Sequence, residues 1–208
     1  MMHIALILGS VRDGRKSNRV AQHLLTLLQE VPEVTTSLLD LATWQLPLLT
    51  DRWSQSPEPN PQLAAFSLEL SRADGIILIS PEYHGSYTGV LKNAIDHFWN
   101  EFKKKPIGVV STGSGRFGGI NASSEMQNLV LSLGAFPMPT KLIVPFVHQT
   151  YAEDATPTDE RSSKDASTFI EEFVWFSNAL LVAKQHHASQ NTIYLKHTKK
   201  SSQNEMTS

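Results

Sequence analysis

The chain has 208 residues, 40% of them hydrophobic, so one domain of ordinary size with a large buried core is expected. The formal net charge of -2 and the sequence pI of about 6.4 argue against a nucleic-acid-binding protein. The chain has no cysteine, which excludes disulfides, thiolate nucleophiles, Fe–S clusters and cysteine zinc sites, so redox chemistry would need an organic cofactor or a metal held without thiolates.

Along the first half of the chain, short apolar runs alternate with longer amphipathic segments. The run HIALIL (residues 3–8) is apolar on both faces, as a buried parallel strand is, and the loop GSVRDGRKSN follows it. A helix is predicted from about Ser17, and VTTSLLDL (residues 34–41) predicts the second strand. Residues 44–62 hold four prolines and predict a long loop.

The second half continues the alternation with three more strands. The predicted strands are GIILIS (residues 75–80), PIGVVS (106–111) and TKLIVP (140–145). The predicted helices around them cover residues 63–72, 91–102, 122–133 and 160–185.

Residues 1–186 are interpreted as one domain, and the polar residues 187–208 are predicted to form a disordered tail. The N-terminal segment is interpreted as a strand rather than a signal peptide, because no basic region precedes its apolar run. No apolar stretch approaches the roughly 18 residues of a membrane helix. A cytoplasmic protein without membrane or nucleic-acid partners is therefore expected.

Strands that alternate with helices indicate an α/β fold, in which a parallel sheet carries helices on both faces. Five strands suggest a flavodoxin-like sheet with the strand order 2-1-3-4-5. Ligands of such sheets bind beyond the carboxyl ends of the strands, at the switch point between strands 1 and 3. The loops expected there, residues 9–17, 81–88 and 112–119, are the three of unusual composition.

The first of these loops leads into a helix N-terminus, where free backbone N–H groups and the helix dipole favour a phosphate. Ser10, Ser17 and Asn18 add polar side chains, and Arg12 adds a positive charge. The loop has neither a Walker A nor a GxGxxG pattern, so a phosphate monoester suits it better than a dinucleotide pyrophosphate. An ordinary turn with a capping serine and a solvated arginine is the alternative.

The second loop, PEYHG (residues 81–85), offers groups suited to a flat ring. Pro81 ends the strand, and Gly85 allows the backbone to approach a ligand closely. Tyr83 and His84 supply flat surfaces and hydrogen bonds.

The third loop, STGSGRFGG (residues 111–119), has four glycines in nine residues. Its N–H groups could stabilise negative charge on one edge of such a ring, unless the loop is only a flexible connection.

Two other interpretations of the second loop are less favourable. The spacing of Glu82 and His84 permits a general acid–base pair, but no nucleophile accompanies them. A metal site at His84 and His97 is disfavoured because no carboxylate lies at a helical spacing from them.

Three segments, LGSVRDGRKSNRVAQHL, SPEYHGSYTGVLKNAIDHF and STGSGRFGGINA, resemble the NADPH-dependent FMN reductase family, which includes quinone, azo-dye and chromate reductases. The resemblance extends from about His3 to Pro145. It implies an enzyme that binds FMN and accepts hydride from NADPH or NADH at flavin N5. It also implies transfer to quinones or similar acceptors (FMN, azo compounds or metal oxyanions), with no catalytic side chain and no metal.

The resemblance further implies which residues hold FMN. By the resemblance, the FMN phosphate is bound by Ser10, Arg12, Ser17 and Asn18. The ring and ribityl chain contact Pro81, Glu82, Tyr83, His84 and Gly85. The pyrimidine end of the ring contacts Thr112, Gly113, Ser114 and Gly115. Members of the family usually form dimers or tetramers, so a homodimer or homotetramer is expected. Residues 44–62 are hypothesised to cover the active face.

The chain departs from the family at His84, where the family usually has Asn. A histidine could keep the hydrogen bond to the flavin or make its potential sensitive to pH. Two other functions stay open at this point. One is a flavin-binding electron shuttle or redox sensor without efficient turnover, and the other is a hydrolase or transferase that uses the same loops to bind a phosphorylated small molecule.

Overall fold

Five parallel strands form the centre of the fold in a computed structural model of the chain, which describes residues 1–51, 53 and 60–205. The strands are β1 (Met2–Leu8), β2 (Val34–Asp40), β3 (Gly75–Pro81), β4 (Pro106–Thr112) and β5 (Phe136–Val144). They lie in the order β2-β1-β3-β4-β5, and every neighbouring pair is parallel. The predicted flavodoxin-like α/β fold and its strand order are confirmed.

Helices connect the strands and follow the last one. Over the described residues they are α1 (Ser17–Gln29), α2 (Leu41–Trp44), α3 (Pro61–Arg72), α4 (Gly89–Asp96), α5 (Ile120–Ser132), α6 (Val147–Thr150) and α7 (Glu160–Glu205). The short α2 and α6 are absent from the sequence prediction, since four residues are too few to show a helical period.

Two hydrophobic clusters, one on each face of the sheet, form the core. In β1, Ala5 and Ile7 belong to one cluster and Leu6 to the other, because successive side chains of a strand point to opposite faces. The first cluster includes buried residues of α3, α4 and α5, and the second includes buried residues of α1 and α7. A sheet covered on both faces explains why its strands read as continuous apolar runs.

Two predicted boundaries, the end of one helix and the start of one strand, are wrong. The helix predicted over residues 91–102 ends at Asp96, although Phe98 and Phe102 are buried as their stripe predicts. β5 starts at Phe136, before its predicted start at Thr140, and includes Pro137. Proline is tolerated there because β5 is an edge strand of the sheet.

The last helix continues well past Gln185, where the sequence prediction ends it, and its backbone is helical to Glu205. The segment from residue 160 onward contains neither glycine nor proline, so the two residues that disfavour a helix most strongly are absent from it. The division of the chain into a domain of residues 1–186 and a tail of residues 187–208 stays a prediction. In the part of the chain that the structure describes, no helix is long and apolar enough to cross a membrane.

The described part of the proline-rich segment, up to Asp51 together with Trp53 and Asn60, packs against α3 and α4. Trp44 meets Phe66 of α3 edge-on, with ring centroids 5.1 Å apart. The Asn93 side chain of α4 donates to the Pro47 carbonyl oxygen at 2.8 Å. Residues 52 and 54–59 lie outside the described residues, so the hypothesis that this segment covers the active face stays a prediction.

Candidate functional site

The three loops of unusual composition meet at the carboxyl ends of β1, β3 and β4 and enclose a cavity of about 290 Å³. Nine of the thirteen predicted cofactor residues line it: Ser10, Arg12, Ser17, Pro81, Glu82, Tyr83, Thr112, Gly113 and Ser114. The other four, Asn18, His84, Gly85 and Gly115, adjoin these residues in sequence and do not line the cavity. The strand order thus places most of the predicted site around one space.

An ion pair holds the first loop in place. The Arg15 guanidinium donates to both carboxylate oxygens of Asp40, at 2.6 and 2.5 Å, and also to the Ser10 carbonyl oxygen. Asp40 is the last residue of β2, the strand next to β1. This bidentate ion pair therefore fixes the loop to the sheet. Arg15 lines the cavity, and the sequence analysis missed it because its partner is distant in sequence.

The N-terminus of α1 opens into the cavity without a protein cap. Lys16 occupies the N-cap position and makes no side-chain capping bond. Ser17 is only 2% exposed, and its Oγ is buried without a hydrogen-bond partner. A buried hydroxyl, uncapped helix amides and the positive end of the helix dipole together suit a phosphate monoester. The predicted phosphate loop therefore has the donors that the FMN phosphate requires.

Two positive side chains, Arg12 and Lys16, also line the cavity beside Ser17. Arg12 is exposed, so its guanidinium is in reach of an incoming anion. Asn18 does not line the cavity, and its Oδ1 is buried without a partner.

Glu82 lines the cavity, yet its carboxylate is engaged with the N-terminus of α5. It accepts hydrogen bonds from the backbone amides of Asn121 and Ala122, at 3.0 and 3.1 Å, and from the Asn121 side chain at 3.1 Å. A carboxylate at a helix N-terminus is stabilised by the free amides and the dipole. The arrangement makes Glu82 a capping group, which removes it from the acid–base pair that its spacing permits.

The second loop forms a tight turn from Tyr83 to Ser86. The amide of each of these two residues donates to the carbonyl oxygen of the other, at 2.8 and 3.1 Å. The two central residues, His84 and Gly85, have φ angles of 52° and 80°, the left-handed values of a type I′ turn. Asn and Gly are the residues that favour this turn, and His is also enriched at positive φ. The turn therefore explains the residue types at this position, and a redox role for His84 stays a prediction.

Glycines in the third loop allow close packing against the end of β5. A Cβ atom on Gly118, which has φ 60°, would lie 2.7 Å from both the Ile143 Cγ2 and the Pro145 nitrogen. The Gly113 amide donates to the Val144 carbonyl oxygen at 3.0 Å. The amides of Ser114 and Gly115, by contrast, donate to no residue that the structure describes. Only part of this loop therefore presents N–H groups to a ligand.

A fourth segment completes the cavity and was missed by the sequence analysis. Val147 and His148, at the start of α6, line the wall next to the third loop. The Val147 amide donates to the Gly113 carbonyl oxygen at 3.0 Å, which fixes α6 to that loop. A four-residue helix after the last strand carries no motif, so no sequence signal points to these residues.

The site has few groups suited to proton transfer. Tyr87, near the end of the loop 81–88, has its pKa raised by burial and by the nearby Asp96 and Glu125, so it stays protonated. Over the described residues, the side chains of His, Asp and Glu form no group of three or more that could hold a metal ion. The chemistry that this cavity supports is the binding of a phosphorylated, flat molecule.

Comparisons with known proteins agree with this geometry. The family model of the NADPH-dependent FMN reductases matches residues 2–149. An NAD(P)H-dependent FMN reductase of Nectria sp is 32% identical over 161 residues, which is 72% of this chain and 78% of the relative. An FMN-dependent NADPH-azoreductase of Staphylococcus haemolyticus is 30% identical over 182 residues, 83% of this chain and 94% of the relative.

A solved structure shows the same likeness. FerB, a flavoenzyme NAD(P)H:(acceptor) oxidoreductase from Paracoccus denitrificans, superimposes with a TM-score of 0.75 at 27% identity, over 86% of this chain and 98% of FerB. The chain belongs to the NADPH-dependent FMN reductase family. The predictions of an oxidoreductase with FMN as cofactor and NAD(P)H as co-substrate are thereby confirmed.

Proposed function

We propose that this chain holds FMN in the cavity between the three loops and uses NAD(P)H to reduce aromatic acceptors, azo compounds and quinones among them. The observation that carries the proposal is the buried, unpartnered Ser17 Oγ at the uncapped N-terminus of α1. A buried polar group without a partner is costly, and a bound phosphate would satisfy it. Arg12 and Lys16 beside it would add positive charge.

The remaining cofactor residues are assigned by their place around the cavity. Pro81 and Tyr83 would face the ring, and Thr112, Gly113 and Ser114 its pyrimidine end, where the free Ser114 amide supplies a donor. Glu82 would act indirectly, since it fixes the N-terminus of α5 to the second loop. Asn18, His84, Gly85 and Gly115 are assigned on the family resemblance alone.

Bound FMN would supply the hydride chemistry between the nicotinamide and the acceptor. The residues of this chain bind and orient it. The first loop would hold the phosphate by charge and hydrogen bonds, and the second and third loops would enclose the ring.

The names of the relatives support the acceptor class. The Staphylococcus haemolyticus relative is an azoreductase, and FerB is an oxidoreductase of unspecified acceptors. Because the reduced flavin can pass hydride to several flat aromatic acceptors, azo dyes and quinones are the first acceptors to test.

A homodimer or homotetramer in the cytoplasm is part of the proposal. Trp99 and Leu49, which are 47% and 40% exposed, line a groove between α4 and α5 and leave apolar surface there. Exposed apolar surface of this kind is typical of protein–protein interfaces. Sedimentation velocity of the purified chain at several concentrations tests the assembly.

The direct test is a visible absorption spectrum of the purified protein before and after anaerobic addition of NADPH or NADH. Flavin absorption that bleaches, and returns when an azo dye or a quinone is added, is the expected result. Flavin absorption that persists with both nucleotides would indicate a binding or shuttle protein. A protein that stays colourless after incubation with FMN would contradict the proposal and favour a phosphorylated substrate.

A further inference from the structure

A second and larger cavity, of about 520 Å³, lies beside the cofactor cavity. Its walls come from the third loop, the end of β5 with the residues that follow it, and the first turns of α7. Its charged lining residues are Arg116, Asp159, Arg161 and Asp165. The volume is in the range of small-molecule sites, and the family assignment gives this cavity no role.

The two cavities share a wall. Ser114 lines the cofactor cavity, and Arg116, two positions later, lines the second one. The Phe146 amide donates to the Gly115 carbonyl oxygen at 3.2 Å, which joins the third loop to the segment after β5. The two cavities are therefore neighbours, and the third loop lies between them.

The two carboxylates of the second cavity are already engaged. The Asp159 oxygens accept hydrogen bonds from the Ser162 amide and hydroxyl, at 2.8 and 2.9 Å, and thereby cap α7. These bonds lower the pKa of Asp159, so it stays ionised in the capping role. Asp165 lies 3.7 Å from the Arg161 Nε, one turn away on the same helix. The carboxylate of Asp159 is thus occupied by the N-terminus of α7, and that of Asp165 by Arg161.

Arg116 differs from Arg161 in having no such partner. Its guanidinium carbon lies 4.5 Å from the centre of the Phe117 ring, and no carboxylate of the described residues is within 4.0 Å of its nitrogens. The Phe117 and Phe146 side chains are 62% and 41% exposed. The cavity therefore combines an available guanidinium with nearby aromatic surface, a pair of features that suits a phosphorylated purine nucleoside.

We propose that the second cavity binds the adenosine end of the co-substrate and that Arg116 contacts the 2′-phosphate of NADPH. NADH lacks this phosphate, so Arg116 would set the preference between the two nucleotides. A guanidinium and a phosphate form paired, charge-assisted hydrogen bonds, which a lysine reproduces only in part. The inference rests on the proposed function, because it needs the nicotinamide to reach the FMN cavity.

The test uses the FMN-loaded protein and two probes, 2′,5′-ADP and 5′-AMP, whose binding is measured by calorimetry without turnover. Wild type should bind 2′,5′-ADP about tenfold or more tightly than 5′-AMP. Arg116→Ala should abolish this difference, and Arg116→Lys should restore part of it. Arg72→Ala, which removes an exposed arginine of α3, is the matched control and should behave as wild type. In steady state, Arg116→Ala should raise the ratio of the KM for NADPH to the KM for NADH.

Equal binding of the two probes by wild type, or an unchanged preference in Arg116→Ala, would overturn the inference. A shift of the same size in Arg72→Ala would also overturn it, since the effect would then be one of general charge. Failure of the proposed function gives a different pattern. In that case wild type would oxidise neither nucleotide, whatever the result with the two probes.

Discussion

Ser17 shows how a single buried side chain can indicate a ligand-binding site. Its hydroxyl is enclosed at the N-terminus of α1 and finds no partner within the protein. Most buried hydroxyls in native proteins are hydrogen-bonded, so an exception at a cavity wall needs a physical reason. A phosphate bound at that wall supplies one, because it would accept hydrogen bonds from the hydroxyl and from the free amides of the first turn.

Ser17→Ala separates this reason from a purely structural one. The variant should bind FMN about tenfold to a hundredfold more weakly, because a hydrogen bond to a charged group contributes about 1.5–3 kcal/mol. The melting temperature of the FMN-free protein should not fall, since the hydroxyl has no protein partner to lose. Fluorescence titration with FMN and thermal unfolding measure the two quantities.

The matched control is Ser177→Ala. Ser177 of α7 is also buried with an unpartnered Oγ, but it lies near Gly75, at the end of β3 away from the cofactor cavity. Its removal should leave the affinity for FMN unchanged. If both variants lost affinity equally, or if neither did, the phosphate assignment of Ser17 would be wrong.

Among the structural elements, the turn of the second loop imposes a backbone requirement on His84. Both central residues of this turn have positive φ, which is costly for residues with a branched Cβ. Asn adopts such angles more readily than most residues. The backbone conformation of the turn can therefore account for Asn or His at this position without any contact with the flavin.

His84→Asn and His84→Val test this requirement. The Asn variant should be as stable as wild type or slightly more so, and the Val variant should lose about 1–2 kcal/mol. Urea unfolding of the FMN-free protein measures the difference. A change from His to Val at His187, in helical backbone, is the control and should cost less. Equal losses at the two positions would refute the backbone explanation.

Glu82 links two elements, the second loop and α5. Its carboxylate accepts hydrogen bonds from two backbone amides at the N-terminus of that helix. Glu82→Ala should reduce the free energy of unfolding by about 1–3 kcal/mol, because those amides lose a charged partner. Denaturant unfolding measures the loss.

The control for that variant is Glu125→Ala, an exposed position further along α5. It should change the free energy of unfolding by less than about 0.5 kcal/mol. A small effect of Glu82→Ala, similar to that of Glu125→Ala, would show that the cap contributes little.

For the molecule as a whole, Lys105 links stability to pH. It is buried immediately before β4, and its ammonium donates to the Leu70 and Ser71 carbonyl oxygens at the end of α3. Burial, aided by the nearby charge of Lys184, lowers the pKa of Lys105 from 10.5 to about 8, against the opposing effects of Asp74 and Glu101. Between these two pH values the unfolded chain holds a proton that the folded chain has lost.

The free energy of unfolding should therefore increase as the pH rises from about 8 toward 10. Lys105→Met should flatten this rise, whereas Lys103→Met, at an exposed neighbouring position, should keep it. Urea midpoints of the three proteins, measured from about pH 7.5 to about pH 10, test this expectation. A wild-type stability that falls over this range would contradict the assignment. Tyr151, whose pKa burial raises to about 12, acts in the opposite direction but only at higher pH.

The fold class, the strand order and the three loops around the candidate site could be predicted from the amino-acid sequence alone. Apolar runs bounded by helical stripes require a parallel sheet covered on both faces, and the carboxyl ends of its strands bring their loops together. Ser10 and Thr112 could be placed in one site on this ground, because each follows or ends a predicted strand.

The contacts that each side chain makes at this cavity depend on the tertiary structure and could not be predicted from the sequence. Glu82 turned out to cap a helix and Arg15 to pair with Asp40, because their partners are set by packing between elements that are distant in sequence. The same holds for α6, which adds Val147 and His148 to the cavity wall. Local patterns specify where strands and helices form, whereas contacts across the fold fix which polar groups remain free for a ligand.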